Sequence, residues 1–136
     1  MKTFRDIPVE ELMMREVRTV LPTSLLTSAA QTMRDENITC LIVDLKDPAR
    51  GLGIITQKDM IGYLFDEAIS LESTMVEDAM TSPTITLAPE WSLETAVSVM
   101  SMVGVRRAPV VKDGKLVGLL SYTDVFRYIL SSSSED

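Results

Sequence analysis

The sequence predicts a mixed α/β (α+β) fold built as two copies of one unit, and three observations carry that prediction. A phrase, Gly118-Leu119-Leu120-Ser121-Tyr122-Thr123-Asp124-Val125, occurs a second time as Gly53-Ile54-Ile55-Thr56-Gln57-Lys58-Asp59-Met60. An apolar stripe of helical spacing also recurs, first as Leu26, Ala29, Ala30 and Met33, then as Leu93, Ala96, Val97 and Met100. Each stripe is followed by two short apolar runs separated by turn residues, the pattern of paired strands.

Taken in order, Pro8-Val9-Glu10-Glu11-Leu12-Met13 reads as a short helix after a lead-in, with proline near its start and acids in its first turn. The phrase returns as Val76-Glu77-Asp78-Ala79-Met80. Short extended segments follow, Val17–Val20 and Thr84–Leu87, and Pro22 and Pro89 break the chain before the striped helices. Those helices are expected from about Ser24 to Glu36 and from Ser92, with Ser92 as N-cap and with Asn37 and Gly104 as left-handed residues past the last turn. Strands are expected at Thr39–Val43 and Leu52–Ile55, and at Ala108–Val111 and Leu116–Leu120. Asp113-Gly114 signals a tight type I′ hairpin, whereas the matching joint Asp44–Gly51 is longer. The numbering records this difference. Met13 and Met80, Pro22 and Pro89, and Met33 and Met100 are each 67 apart, but Gly53 and Gly118 are 65 apart. Final helices run from Lys58 to about Ala68 and from Thr123 to about Leu130. The domain reading is a first repeat over residues 1–68, a linker over 69–74, a second repeat over 75–130 and a polar, frayed tail over 131–136. One repeat is marginal alone at about 60 residues, so the two are expected to pack sheet to sheet about a pseudo-twofold axis, leaving two related clefts.

Composition narrows the function classes. At 136 residues the chain can bury a real core, and with 46% hydrophobic but only 5% aromatic residues that core is aliphatic, the nine methionines serving as packing. The formal charge is −7 and no basic run interrupts it, which argues against nucleic acid or anionic lipid as primary partner. The single cysteine, Cys40, lies in an apolar run and reads as a reduced, buried core residue. Histidine is absent, which removes the usual general base and the commonest metal ligand, so no enzyme is indicated. With no apolar leader pattern and no long apolar run, a cytoplasmic, membrane-free protein is expected.

The duplicated phrase has two readings. As structure, Thr56 and Ser121 are N-caps, and Asp59 and Asp124 complete a variant capping box at the positive end of a helix dipole. As function, the same N–H groups and hydroxyls meet a phosphate while the aspartate accepts from a ribose.

The repeated Gly-aliphatic-aliphatic-[Ser/Thr]-x-x-Asp-aliphatic pattern, the Pro109-Val110-Val111 strand and the repeat length resemble a tandem pair of cystathionine-β-synthase (CBS) domains, a Bateman module, over residues 9–130. The resemblance implies a regulatory module that binds AMP, ADP, ATP or S-adenosylmethionine in one or both clefts, with no obligatory cofactor. It implies that Asp124 and Asp59 hold ribose, that Ser121, Thr123 and Thr56 meet phosphate or ribose, and that Arg18, Ile38 and Thr39 in one repeat and Ile85, Val105 and Arg106 in the other line the adenine. In similar modules a basic pair before the second strand contacts phosphate, which here is Arg106 and Arg107; the first repeat offers only Lys58 inside its phrase. Guanidinium donors suit that task through charge-assisted bonds.

The leading expectation is therefore a nucleotide sensor acting on an effector protein that the sequence does not name. The alternatives are a ligand-free structural dimerisation module and an S-adenosylmethionine binder. A homodimer is expected through Ser92–Val103, Asp124–Leu130 and their counterparts.

Overall fold

A computed structural model describes residues 3–133. The chain forms two compact units, a contiguous one, Arg18–Thr84, and a composite one, Met1–Val17 with Ile85–Asp136. This mixed α/β architecture is the predicted class, yet the packing units do not follow the order of the repeats. The phrase that opens each repeat lies in the unit built mainly from the other repeat.

In the contiguous unit, β1 (Thr19–Val20) runs parallel to β2 (Cys40–Asp44), which pairs antiparallel with β3 (Leu52–Thr56). Helix α1 (Leu26–Glu36) buries Leu26, Ala29 and Met33 against Leu41, Val43 and Ile55. It ends because Asn37 takes φ 54, ψ 49, which lets the Asn37 and Ile38 N–H groups reach back to carbonyls of the last turn. Helix α2 (Gln57–Leu64) stops short of the expected Ala68, since the Asp66 carboxylate accepts from the Ala68 N–H at 2.9 Å and turns the chain. The expected linker is not loose throughout: Thr74 is buried and its hydroxyl donates to the Ser70 carbonyl at 2.7 Å. A one-turn helix, α3 (Val76–Ala79), completes the unit.

In the composite unit, α4 (Leu93–Val103) is capped by Ser92, whose hydroxyl accepts from the Thr95 N–H at 3.2 Å, and ends at Gly104 with φ 86. Strands β4 (Arg107–Lys112) and β5 (Lys115–Ser121) form the hairpin, with Asp113 and Gly114 both at positive φ, as a type I′ turn requires. Helix α5 (Tyr122–Ser133) follows, so residues 131–133 are helical where a frayed tail was expected, and residues 134–136 lie outside the described residues. The expected strand Thr84–Leu87 shrinks to one bridge, Leu87 beside Val110, because the Thr84 N–H is already committed to the Leu52 carbonyl of the contiguous unit. Helix α1 also differs from the expectation. It begins at Leu26 with no side-chain cap, and its first N–H donates to the Thr74 carbonyl.

The opening phrases act as straps, and each makes the same bonds. In the composite unit the first phrase forms only a 3-10 turn (Val9–Glu11). There the Val9 and Glu10 N–H groups donate to the Trp91 and Pro89 carbonyls (2.8 and 3.0 Å), the Leu93 N–H donates to the Ile7 carbonyl (2.8 Å), and Met14 and Leu119 exchange two bonds of 2.9 Å. In the contiguous unit the Val76 and Glu77 N–H groups donate to the Ser24 and Pro22 carbonyls (2.8 and 2.9 Å), the Leu26 N–H donates to the Thr74 carbonyl (2.9 Å), and Thr81 and Ile54 exchange bonds of 2.9 and 3.0 Å. Val9 and Val76 are fully buried.

Candidate functional site

Each repeated phrase is a strand that turns directly into a helix, and the structure shows what its residues do. The glycine makes room for a strap. A Cβ on Gly118 would stand 2.4 Å from the Met13 sulfur and 2.9 Å from the Met14 carbonyl oxygen, and a Cβ on Gly53 would stand 3.0 Å from the Met80 sulfur. The two aliphatics enter the core, Leu120 and Ile55 being fully buried.

The hydroxyl and the carboxylate form the cap. The Thr56 N–H and hydroxyl donate to Asp59 Oδ2 at 2.9 and 3.0 Å, and the Asp59 N–H donates back to Thr56 Oγ1 at 3.2 Å. In the composite unit the Ser121 hydroxyl donates to Asp124 Oδ2 at 2.9 Å and accepts from the Asp124 N–H at 3.2 Å. The capping reading of the sequence is thus realised in both copies, and Ser121 and Thr56 have their hydroxyls committed to it. Both boxes use Oδ2, so the other carboxylate oxygen of Asp59 and of Asp124 is not part of the cap.

A second tie brings the preceding turn to the same place. The Tyr122 N–H donates to the Arg106 carbonyl at 2.9 Å, and Arg107 lies opposite Ser121 in the β4–β5 register. The Gln57 N–H donates to the Thr39 carbonyl at 3.0 Å, and Cys40 lies opposite Thr56. Arg106, Arg107, Ser121 and Asp124 therefore gather at one end of the composite unit's hairpin, with Thr123 exposed on the first turn of α5. Val105 and Ile85 are half-buried against the same core, and the parallel Leu87–Val110 bridge sets Ile85 toward the Arg107 end of β4. In the contiguous unit the equivalents are Thr39, Cys40, Thr56 and Asp59, with Lys58 exposed and Ile38 packed on the core.

Cys40 is half-buried, not fully buried as expected, because it opens the edge of β2 before the run Leu41-Ile42-Val43 goes inside. Arg18 carries a feature that the sequence reading missed, since its Nε meets a Glu36 carboxylate oxygen at 3.0 Å. The available signal was positional. One repeat unit further on, Arg18 and Glu36 become Ile85 and Val103, so the two residues change together. Tyr122 and Trp91 are half-buried against the composite core.

A family model for the CBS domain matches residues 9–66 and again 76–131. The chain belongs to the CBS-domain family, as a tandem pair. A relative from Methanopyrus kandleri, the uncharacterized protein MK0525, is 31% identical over 97% of this chain and 69% of its own length. The mitochondrial CBS domain-containing protein CBSX3 of Arabidopsis thaliana is 32% identical over 79% of this chain, which spans about half (54%) of that protein. Among solved structures, the CBS domain pair of protein MJ0100, in complex with 5′-methylthioadenosine and S-adenosyl-L-methionine, superposes with a TM-score of 0.78 at 23% identity, covering 93% of this chain and 98% of that one. These matches establish the CBS-pair fold. No helix among the described residues is long and apolar enough to cross a membrane.

Proposed function

We propose that this CBS pair is a non-catalytic regulatory module whose composite unit binds an adenine nucleotide of the AMP, ADP or ATP class and transmits the binding to a partner protein. The observation that carries the reading is the gathering of Arg106 and Arg107 beside the Ser121–Asp124 box by backbone bonds, in a protein whose overall field repels anions. Asp124 offers its uncommitted carboxylate oxygen to ribose hydroxyls, Thr123 and the arginines face phosphate, and Ile85 and Val105 offer apolar contact to a base. The contiguous unit has Lys58 and Asp59 but no equivalent of the arginine pair, so its site is the weaker. A second reading, S-adenosylmethionine, is favoured by the ligands of the MJ0100 pair and by the net charge of −7, which attracts a cation.

Calorimetric titration of the full chain with AMP, ATP and S-adenosylmethionine separates these readings. AMP or ATP is expected to bind, and Asp124→Ala is expected to weaken binding more than Asp59→Ala. A larger loss at Asp59 reverses the ranking of the two units, and binding of S-adenosylmethionine alone selects the second reading. Binding of none of these would leave a structural module.

The pair is further proposed to act as a homodimer in the cytoplasm. Ile61, Leu64 and Phe65 on and just after α2, Met102 and Val103 at the end of α4, and Phe126 and Leu130 on α5 are exposed apolar side chains on the helices expected to meet a second copy. Sedimentation at micromolar concentration that shows only a 15.1 kDa species rejects the dimer.

A further inference from the structure

We infer that the strap Ile7–Met14 is a relay, which reads the position of β5 next to the Ser121–Asp124 box and carries it along the covalent chain into the contiguous unit. This deepens the proposed function by naming the route that leaves the ligand site, and it rests on that reading for its physiological use.

Strand β5 holds the capping box at its end, Ser121, and the strap two and three residues earlier, at Leu119 and Gly118. At that point there is no slack. Both polar groups of the Leu119 backbone bond to Met14 at 2.9 Å, and the Met13 side chain fills the space where any Cβ at position 118 would project. Between clasp and box lies Leu120, fully buried and fixed in the core. Close-packed interiors transmit small displacements because they lack voids to absorb them, so a shift of β5 at Ser121 arrives at the strap.

From the strap the chain has little length in which to lose that shift. Met14 is followed by three residues, and at Arg18 the chain enters the contiguous unit, where the Arg18 carbonyl accepts from the Ile42 N–H at 3.1 Å. Arg18 is held a second time, by Glu36. The matching contact within the contiguous unit is looser, with neighbours at 3.0, 3.2 and 3.3 Å from a Cβ on Gly53. The relay is therefore assigned to the composite strap.

Hydrogen exchange on the full chain, read at the Met14, Leu119, Asp124 and Ile42 amides, tests the inference. Gly118→Ala should quicken all four by roughly tenfold or more. Gly53→Ala should leave the Met14 and Asp124 amides unchanged. Met100→Ala, a cavity in the same core, measures a purely global loss of stability, and the Asp124 and Ile42 amides in Gly118→Ala must exceed it. If Met14 and Leu119 quicken while Asp124 and Ile42 match the Met100→Ala control, the strap is a local clamp and the inference is overturned. Should Gly118→Ala fail to fold, Met13→Ala, which adds no atom, is judged on the same amides. An AMP titration keeps the two proposals apart. AMP that raises Tm but leaves the Met14 and Ile42 rates untouched overturns the relay. AMP that does not raise Tm counts against the nucleotide reading, and the Gly118→Ala comparison still decides the relay.

Discussion

The two strand-to-helix junctions share a scaffold and differ in charge, and the difference says more about ligands than the likeness does. The glycine, the hydroxyl and the aspartate are the same in both copies, yet each is explained within its own unit by a strap contact or a cap. The residues around this shared scaffold are the ones that diverge. Thr39 and Cys40 stand where the composite unit has Arg106 and Arg107, and the Arg18–Glu36 ion pair stands where it has Ile85 and Val103. In the contiguous unit an arginine near the junction pairs with an acid, while the composite unit carries an arginine pair in the turn itself and apolar residues at those two positions.

Removing charge on each side should break this comparison most visibly. Arg107→Ala is expected to cost about 1.5–3 kcal/mol of AMP affinity, roughly tenfold to a hundredfold in Kd, with adenosine affected far less. Arg18→Ala should leave AMP affinity nearly unchanged, because its guanidinium already faces Glu36. An unchanged ratio of AMP to adenosine affinity in Arg107→Ala, measured calorimetrically, removes the phosphate role.

The clasps come next. Gly118→Ala should destabilise by about 1–3 kcal/mol through overpacking against Met13 and the Met14 carbonyl. Gly53→Ala should cost less, since its closest neighbour is the Met80 sulfur at 3.0 Å, the far end of a flexible side chain. Urea unfolding of both variants checks the order, and equal losses would show that Met13 yields as readily as Met80.

Helix starts give a smaller contrast. Ser92→Ala removes a side-chain cap and should cost about 1 kcal/mol, whereas Leu25, its counterpart on α1, makes no such bond. Leu25→Ser should therefore gain stability, by a few tenths of that amount or more, and thermal unfolding decides whether it does.

The least effect is expected at the hairpins. The Lys46 N–H bonded to the Asp44 carboxylate at 2.9 Å, opposed in part by burial, with further help from the Lys46 side chain, holds the Asp44 pKa below its usual 3.8. A carboxyl depressed in the folded state adds stability above its unfolded value, and that stability is lost as pH falls through the folded value. Asp44→Asn should thus flatten acid unfolding below about pH 3.8 without changing stability at that extreme, where both forms are neutral. Acid titration of the unfolding midpoint, in Asp44→Asn and in the unmutated chain, checks this.

Much of this fold was legible because local chemistry dictates it. Asn37 and Gly104 ended their helices as left-handed residues, Asp113-Gly114 made its turn, and Ser92 capped α4, each through contacts within a few residues. The residues of the candidate site were also legible as a group, since the phrase and the turn before it are joined by one ladder. What could not be read was the partner of each strap. The two grooves offer the same backbone bonds, so the repeat reveals that Pro8–Met13 and Val76–Met80 are alike but not which groove each enters. The Arg18–Glu36 pair was hidden for a related reason, as the two residues are far apart in sequence and meet only after α1 returns the chain to β1.

The interleaving of the units sets an order of events during synthesis. Arg18–Thr84 is a continuous stretch and carries its own strap, so it can close once Thr84 has left the ribosome. The first phrase has no such option. Its Val9 and Met13 share a core with Leu93, Leu120 and Val125, which are made after the contiguous unit. Until Leu119 is made, the nascent chain therefore carries the apolar phrase unpaired while the contiguous unit can already be folded, and the Met14–Leu119 pairing forms only afterwards.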